Sequence, residues 1–578
     1  MFEKLKKINL LINKRHKRNL ILLALFLSVG FSLEIFSLAL ILPLVTMFSN
    51  AEYVLNNPLL DFFTKNVMDI SPLLFFKLFL IGVVITFIFK TLFLVFINTK
   101  QFQLLANLNA YLNSEFLKKY MNQDYSFYLN RNSNAVVKNI QIEIPILMRF
   151  IHSLLTLIIE IGLTLAVVIT LLFIEPIAAI SVGGFLFILS FLFFQLTKRK
   201  LDRWGKEREI LDGSLTKILI EGLGGIKELK VLNRENFFTE YFTQKTYSVQ
   251  NIHAKHNIVS SFPRFFLEII SIIGLVGFVF VIILQSNNYA NLLASLSVFV
   301  AATFRLIPSI NKIIGSLQNM RYQNSSLDLL VNEFKTLIVE NKELDDNSAI
   351  TFDRSIRLNG LNFKYYNGGV FVLKNLNLTI NKGEMIGIIG ASGSGKTTLI
   401  DILLGLHKPD QGEILIDDVE IKGDNLKNWT KKIGYVPQNI FLIDDTITNN
   451  IALGIPAEKI NKQNIASAVK AAQLDHLISN LPSGLETKVG EKGIQISGGQ
   501  IQRIGIARAL YNKPEILILD EATSALDNKT EIKFIDSIEK LKNKQTIIMI
   551  AHRITSLKNC NKIFELTSGV LNEKSLKL

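Results

Sequence analysis

Apolar residues fall along this 578-residue chain in two different rhythms. Over the first 335 residues they gather into long runs, at roughly 20–48, 73–98, 147–173, 177–197, 262–285 and 291–314. Each run approaches or exceeds the ~20 residues that a helix needs to cross a bilayer. From 350 to 578 the apolar stretches shorten to strand length and alternate with Gly-rich turns and helices of mixed polarity. The polar stretch VENKELDDNSAI, 339–350, separates the two. This pattern predicts an α-helical membrane domain of six spans over 1–335, fused to an α/β domain over 336–578. The connections 99–146 and 198–261 keep helical periodicity while carrying much of the remaining Lys and Arg, so the spans are expected to run on beyond the lipid. Turn-forming residues mark 122–135 and 221–235 as their tips, either contact points for the second domain or ordinary loops.

Composition fits a membrane protein with a soluble part: 49% of residues are hydrophobic and the formal net charge is +14. That charge alone suits nucleic acid, anionic lipid or basic loops equally well. Its distribution is more informative. Lys4, Lys6, Lys7, Lys14, Arg15, Lys17 and Arg18 precede the first span, whereas 49–72 sets Lys65 against Glu52, Asp61 and Asp69. Neither 174–177 nor 285–290 contains a Lys or Arg. The N-terminus is therefore expected on the cytoplasmic side, and six spans return the α/β domain to it. The first span is too long for a cleaved signal peptide and lacks a small-x-small site after it. Cys560 is the one cysteine, so the chain forms no internal disulfide.

Two segments carry candidate chemistry. In EMIGIIGASGSGKTTLIDILLG an apolar strand over 386–389 leads into Gly390, Gly393, Gly395, Lys396 and Thr397 and then an amphipathic helix. Glycines at this spacing let backbone N–H groups converge on phosphates, the helix start adds its dipole, Lys396 neutralises the β/γ-phosphates, and Thr397 offers a hydroxyl to Mg²⁺. Ser392, Ser394 and Thr398 share the segment as candidate nucleotide contacts. In EILILDEATSALD four apolar residues end in Asp520 and Glu521, placing carboxylates at a strand's carboxyl end. Asp520 is a candidate Mg²⁺ ligand, and Glu521 a candidate general base for the attacking water.

ISGGQIQRIGIARAL, 496–510, lies shortly before that second strand. It resembles the signature of ATP-binding cassette transporters, and the six-span half resembles their exporter type. The resemblance implies that Ser497, Gly498, Gly499 and Gln500 contact nucleotide from across a dimer, that Gln438 serves the metal and the attacking water, that Asp527 belongs to the loop after the acids, and that His552 senses the γ-phosphate. Tyr365 matches the aromatic that stacks on adenine, with Tyr366 competing for the role. Ile496 stands where the family usually has Leu, an apolar exchange. KVGEKG, 488–493, resembles the exporter segment that faces a partner's membrane helices. With one cassette per chain, a homodimer with two composite sites for ATP and Mg²⁺ is implied.

FPRFFLE, FRLIPSINKI and SLEIFSLALILPLVT look most like bacterial lipid-linked oligosaccharide flippases of the protein N-glycosylation type. That likeness implies ATP-driven flipping of a polyprenyl-pyrophosphate glycan across the bacterial cytoplasmic (inner) membrane, with 49–72 as an external helix for the lipid tail or an ordinary outer loop. The substrate residues it implies are Lys90, Arg264 and Arg305, with Lys90 standing where the pattern has arginine. At ~1.5 Å of rise per residue all three fall toward the cytoplasmic leaflet. There they either snorkel to lipid headgroups, with Arg264 pairing Glu268 one turn away, or line a basic pocket. A lipid A, multidrug or peptide exporter is the alternative. No nucleic-acid partner is expected, because six spans argue against a soluble cassette ATPase.

Overall fold

The computed structural model describes residues 2–40, 44, 72–129, 131–174, 176–285, 289–337, 350–365, 369–490, 493, 496–522, 528–539, 545–551 and 554–574. The chain divides into two compact units, Met1–Gln123 with Phe127–Val339, and Asp124–Ser126 with Glu340–Leu578.

The first unit is helical: α1 (Phe2–Leu11), α2 (Lys14–Ala39), α3 (Pro72–Met121), α4 (Ile144–Ile174), α5 (Pro176–Gly224), α6 (Glu235–Gln285), α7 (Tyr289–Tyr322) and α8 (Asn324–Thr336). The described parts of the six expected spans lie in α2 to α7. Among the described residues, Lys14–Ser37, Phe76–Met121 and Ser133–Thr170 are long and apolar enough to cross a membrane by length and composition. The segment 49–72 lies almost wholly outside the described residues. Helix α3 has 50 residues, α5 has 49 and α6 has 51. At ~75 Å each, they exceed a ~30 Å hydrocarbon core more than twofold, as the periodicity past the spans predicts. Short helices mark the tips, Tyr125–Leu129 and Ser133–Lys138 on one connection and Ile226–Leu232 on the other. Asn233, left-handed at φ 52°, ends the last of these by donating to the carbonyls of Leu229 and Lys230.

Leu108, Leu112, Phe116, Leu147, Phe150 and Leu327 pack a continuous apolar core in this unit. Beside it sits a buried charge cluster. A single π-helical turn, Asn139–Glu143, feeds α4 and carries the fully buried Glu143 carboxylate. Glu143 Oε2 accepts from Ser326 Oγ at 2.5 Å and lies 3.5 Å from the Arg208 guanidinium, and Oε1 is 3.3 Å from Lys138 Nζ. Ions this deep are tolerated only when paired, so this cluster fixes the register of α4, α5 and α8 against one another.

The second unit is built on two sheets. Strands β1 (Ser355–Phe363), β2 (Leu373–Asn381), β4 (Gln411–Ile416) and β5 (Val419–Glu420) form an antiparallel sheet in the order β2-β1-β4-β5. Strands β3 (Met385–Ile389), β6 (Ile433–Val436), β7 (Ile516–Asp520), β8 (Thr546–Ile550), β9 (Lys562–Thr567) and β10 (Val570–Lys574) form the other, ordered β10-β9-β3-β8-β7-β6 and parallel except for β10. Every residue of β3, β7 and β8 is buried, which explains why these strands read as unbroken apolar runs: a parallel sheet is covered on both faces. Alternation assigns the two faces to two cores. Met385, Leu517, Leu519, Ile547 and Met549 enter one; Ile386, Ile388, Ile516, Ile518, Ile548 and Ile550 enter the other.

Candidate functional site

Parallel strands end on one edge of their sheet, and loops leaving that edge form the natural ligand crevice. Strand β3 leaves there into the loop 390–395 and helix α9 (Lys396–Leu403). Strand β7 ends there in Asp520, and β6 is followed two residues later by Gln438. Because β8 separates β3 from β7, the acids stand about 10 Å from the phosphate loop, two strand spacings away. A phosphate chain and its cation span such a gap.

The loop's geometry depends on its glycines. A Cβ on Gly390 would lie 2.4 Å from the Leu566 carbonyl oxygen and 2.7 Å from Ser394 Oγ. Gly393, at φ +79°, leaves open space where a side chain would stand, so its backbone is free for close approach. Lys396 is buried and its ammonium donates to the carbonyls of Gly390 and Ala391 at 2.8 and 2.9 Å. Ser392 and Thr397 are exposed, Thr397 at the start of α9. Ser394 Oγ is buried with no hydrogen-bond partner among the described residues. Thr398 is buried, and its hydroxyl is 3.0 Å from that of Tyr365, so Thr398 positions Tyr365 instead of facing solvent. The Tyr365 ring packs edge-on against Phe363 and His407, which also hold it at the sheet edge.

Glu521 adopts a left-handed backbone, φ 50°, a costly conformation for a side chain of this size. It is held there from three sides. Its N–H donates to the Ile550 carbonyl at 3.1 Å, its own carbonyl accepts from Gln502 Nε2 at 3.3 Å, and its Oε2 accepts from Gln438 Nε2 at 2.6 Å. The strain therefore aims the carboxylate away from the β7 register and toward Gln438. Asp520, by contrast, stays in register and is 5% exposed. Asp401, on α9, was not singled out from sequence. Burial, and then the charge of Asp520, push its carboxyl up to about 6.

These residues fit a nucleoside triphosphate with Mg²⁺. The orphaned Ser394 hydroxyl and the open Gly393 backbone suit phosphate oxygens, while the exposed Thr397 hydroxyl and buried Asp520 suit the cation. No group of three or more His, Cys, Asp or Glu able to hold a metal occurs among the described residues, so the ion would draw its remaining ligands from phosphate and water.

Ser497 caps helix α10 (Gly498–Tyr511), with its N–H bound by Gln500 Oε1 at 2.8 Å in a capping box. Gln500 is thus engaged in shaping the helix start, and Ser497 and Gly498 are exposed. Tyr366, Asp527 and His552 lie outside the described residues.

Residues 17–306 match the ABC transporter transmembrane region and residues 373–524 the ABC transporter domain. The chain belongs to the ABC transporter family. Membership implies ATP binding and hydrolysis coupled to transport, typically with Mg²⁺. Among curated proteins, the heterocyst differentiation ATP-binding protein HepA of Nostoc sp. is 31% identical over 54% of this chain and 51% of its own length. An ATP-dependent lipid A-core flippase of Cupriavidus metallidurans is 26% identical over 69% of this chain and 68% of its own, and one of Burkholderia orbicola 27% identical over 72% and 69%. The chain thus spans about half the length of HepA and about two thirds of those flippases. A bacterial Atm1-family ABC exporter with ATP bound has the same fold, with a TM-score of 0.78 at 22% identity, covering 98% of this chain and 96% of that one.

The transporter's three expected substrate bases lie on α3, α6 and α7. Lys90 is not free. Its ammonium lies 3.4 Å from Glu34 Oε2, donates to Ser37 Oγ at 3.1 Å and sits over the Phe87 ring. Arg264 makes the local pair foreseen as the alternative, Nε to Glu268 Oε1 at 3.2 Å, and stays exposed. The Arg305 side chain lies outside the described residues. A search for charge of either sign inside apolar runs would also have found Glu34 and Glu160.

Proposed function

We propose that this ABC transporter is a homodimeric, ATP-driven exporter that moves a polyprenyl-pyrophosphate-linked glycan from the cytoplasmic to the outer leaflet of a bacterial cytoplasmic membrane. The observation that carries the ATPase reading is the Glu521 carboxylate, strained out of register and held by Gln438 on the edge that also presents Lys396. Lys396 draws the β/γ-phosphates to the loop, and the Gly393 backbone approaches them. Mg²⁺, held by Thr397, Asp520 and Gln438, would offset phosphate charge. Glu521 takes the proton of the attacking water. Tyr365 stacks on the base, and His552 contacts the γ-phosphate. The exposed start of α10 faces outward, which supports a role in completing the site of a second copy, together with Asp527. Closing two such sites on ATP and releasing them on hydrolysis supplies the differential affinity that alternating access requires.

The lipid part of the reading rests on curated relatives named lipid A-core flippases and on the quoted membrane segments. Lipid A-core itself is the second reading, favoured by those names; both substrates join phosphate to sugar and apolar chains. Reconstituted protein supplied with fluorescent polyprenyl-pyrophosphate glycan, and separately with labelled lipid A, decides between them. Translocation of the glycan lipid that needs ATP is expected. Glu521→Gln should lower ATP turnover by about 10²- to 10⁴-fold and stop translocation; ordinary turnover in that variant removes Glu521 as the base. Movement of lipid A alone refutes the polyprenyl assignment.

A further inference from the structure

A cavity of about 510 Å³ along α3 is lined by apolar side chains apart from Thr91 and reads as lipid-facing surface. A second, of about 480 Å³, differs in kind: it opens between α2, α3, α4 and α7 and combines apolar walls with buried polar groups. Glu160, on α4, is 4% exposed. One of its oxygens, Oε1, accepts from Lys312 Nζ on α7 at 2.7 Å. The other, Oε2, is buried without a hydrogen-bond partner among the described residues. A carboxyl oxygen held out of water is an acceptor lacking its donor. Lys312 lines the same cavity, is 55% exposed, and has further N–H donors beyond the one given to Glu160. On the α3 wall the buried Gln101 amide holds His152 Nδ1 at 3.1 Å, and the His152 ring stacks against the half-exposed ring of Phe102, centroids 5.4 Å apart. Leu27 and Leu163 complete an apolar floor.

We propose that this cavity, through Glu160, Lys312 and Phe102, seats the first sugar and adjoining phosphate of the transported lipid, a headgroup subsite separate from Lys90, Arg264 and Arg305. The proposal rests on the glycolipid reading above and deepens it. A sugar hydroxyl gives Glu160 Oε2 its missing donor, and the Lys312 ammonium meets an oxygen of the phosphate joined to that sugar. The Phe102 face covers the C–H side of the sugar ring, and the apolar floor takes the first carbons of the tail. The volume suits one sugar with its phosphate, so any remaining sugars extend outside. Neither a plain cation nor a plain anion matches the pair, because each would leave one of the two charges facing its like.

The test uses the full chain in lipid nanodiscs and two fluorescent probes, farnesyl diphosphate bearing one N-acetylglucosamine and farnesyl diphosphate alone. Glu160→Met should weaken the sugar-bearing probe at least tenfold and leave the other within about twofold. Phe102→Leu should likewise weaken only the sugar-bearing probe. Lys312→Gln should weaken both, and Lys312→Arg should recover most of that loss. Glu160→Gln keeps the shape and is expected between wild type and Glu160→Met, and unfolding midpoints exclude loss of fold. Unchanged affinity for the sugar-bearing probe in both Glu160→Met and Phe102→Leu overturns the cavity assignment while leaving the glycolipid reading intact. Wild-type protein that binds labelled lipid A but neither farnesyl probe overturns the polyprenyl reading. If Glu160→Met then weakens lipid A tenfold the subsite stands, and if it does not the subsite falls as well.

Discussion

Asp401→Asn should stabilise the cassette, and by an amount that depends on pH. Asp401 is partly buried on α9, and its carboxyl is pushed from an ordinary 3.8 to about 6, first by burial and then by Asp520. The folded state therefore holds this proton more tightly than the unfolded chain. For an acid raised in this way, the penalty to folding is absent below the unfolded value, grows between 3.8 and 6, and is complete above about 6. Kept ionised at pH 7.5, the group corresponds to ~3 kcal/mol of destabilisation. Water screens a partly exposed carboxylate, so about 1 kcal/mol is the expected measurable gain on removing the charge. For a domain of this size that is a rise in midpoint of about 2–4 °C. Trp429, buried in the cassette and donating to the Leu403 carbonyl at 2.8 Å near the end of the same helix, is a built-in reporter. In a Trp204→Phe background, with EDTA and no nucleotide, Trp429 fluorescence against temperature should show the gain at pH 7.5 and none at pH 4. A gain of equal size at both pH values, or none at pH 7.5, would refute the picture of a carboxylate kept ionised against burial and the nearby Asp520.

Other perturbations probe separate parts of the fold. Gly390→Ala puts a Cβ 2.4 Å from the Leu566 carbonyl oxygen, so β9 or the phosphate loop must shift; nucleotide affinity measured by equilibrium binding should fall at least tenfold, and retained affinity would show that the loop has room. Glu143→Ala removes one of the two carboxylates paired with the 1%-exposed Arg208, Asp212 Oδ2 remaining at 3.5 Å, and strips Lys138 of its Oε1 partner, a loss of about 3 kcal/mol that the unfolding midpoint in detergent registers. A change below about 1 kcal/mol would mean that Asp212 alone balances the buried guanidinium.

The sequence by itself determined the two-part architecture, because each part has its own solvent. Runs of ~20 apolar residues suit only lipid, and buried parallel strands such as Ile516–Leu519 suit only a sheet covered on both faces. It also determined the phosphate loop and the acids after β7, since these chemistries need particular residues at fixed spacing along a single stretch of chain. Partnerships between distant stretches were beyond its reach. Glu34 with Lys90, Glu160 with Lys312, and Glu143 with Arg208 join residues 56 or more positions apart, and no local period encodes which helix faces which. Tertiary packing likewise turned Glu521 out of its strand's register to meet Gln438, 83 positions away. It decided, too, that Lys90 is held by an acid and that, among the described residues, Glu160 keeps one oxygen without a donor. Spacing along the chain specifies the chemistry that a short segment can perform; only packing specifies which buried charges are neutralised and which remain to bind.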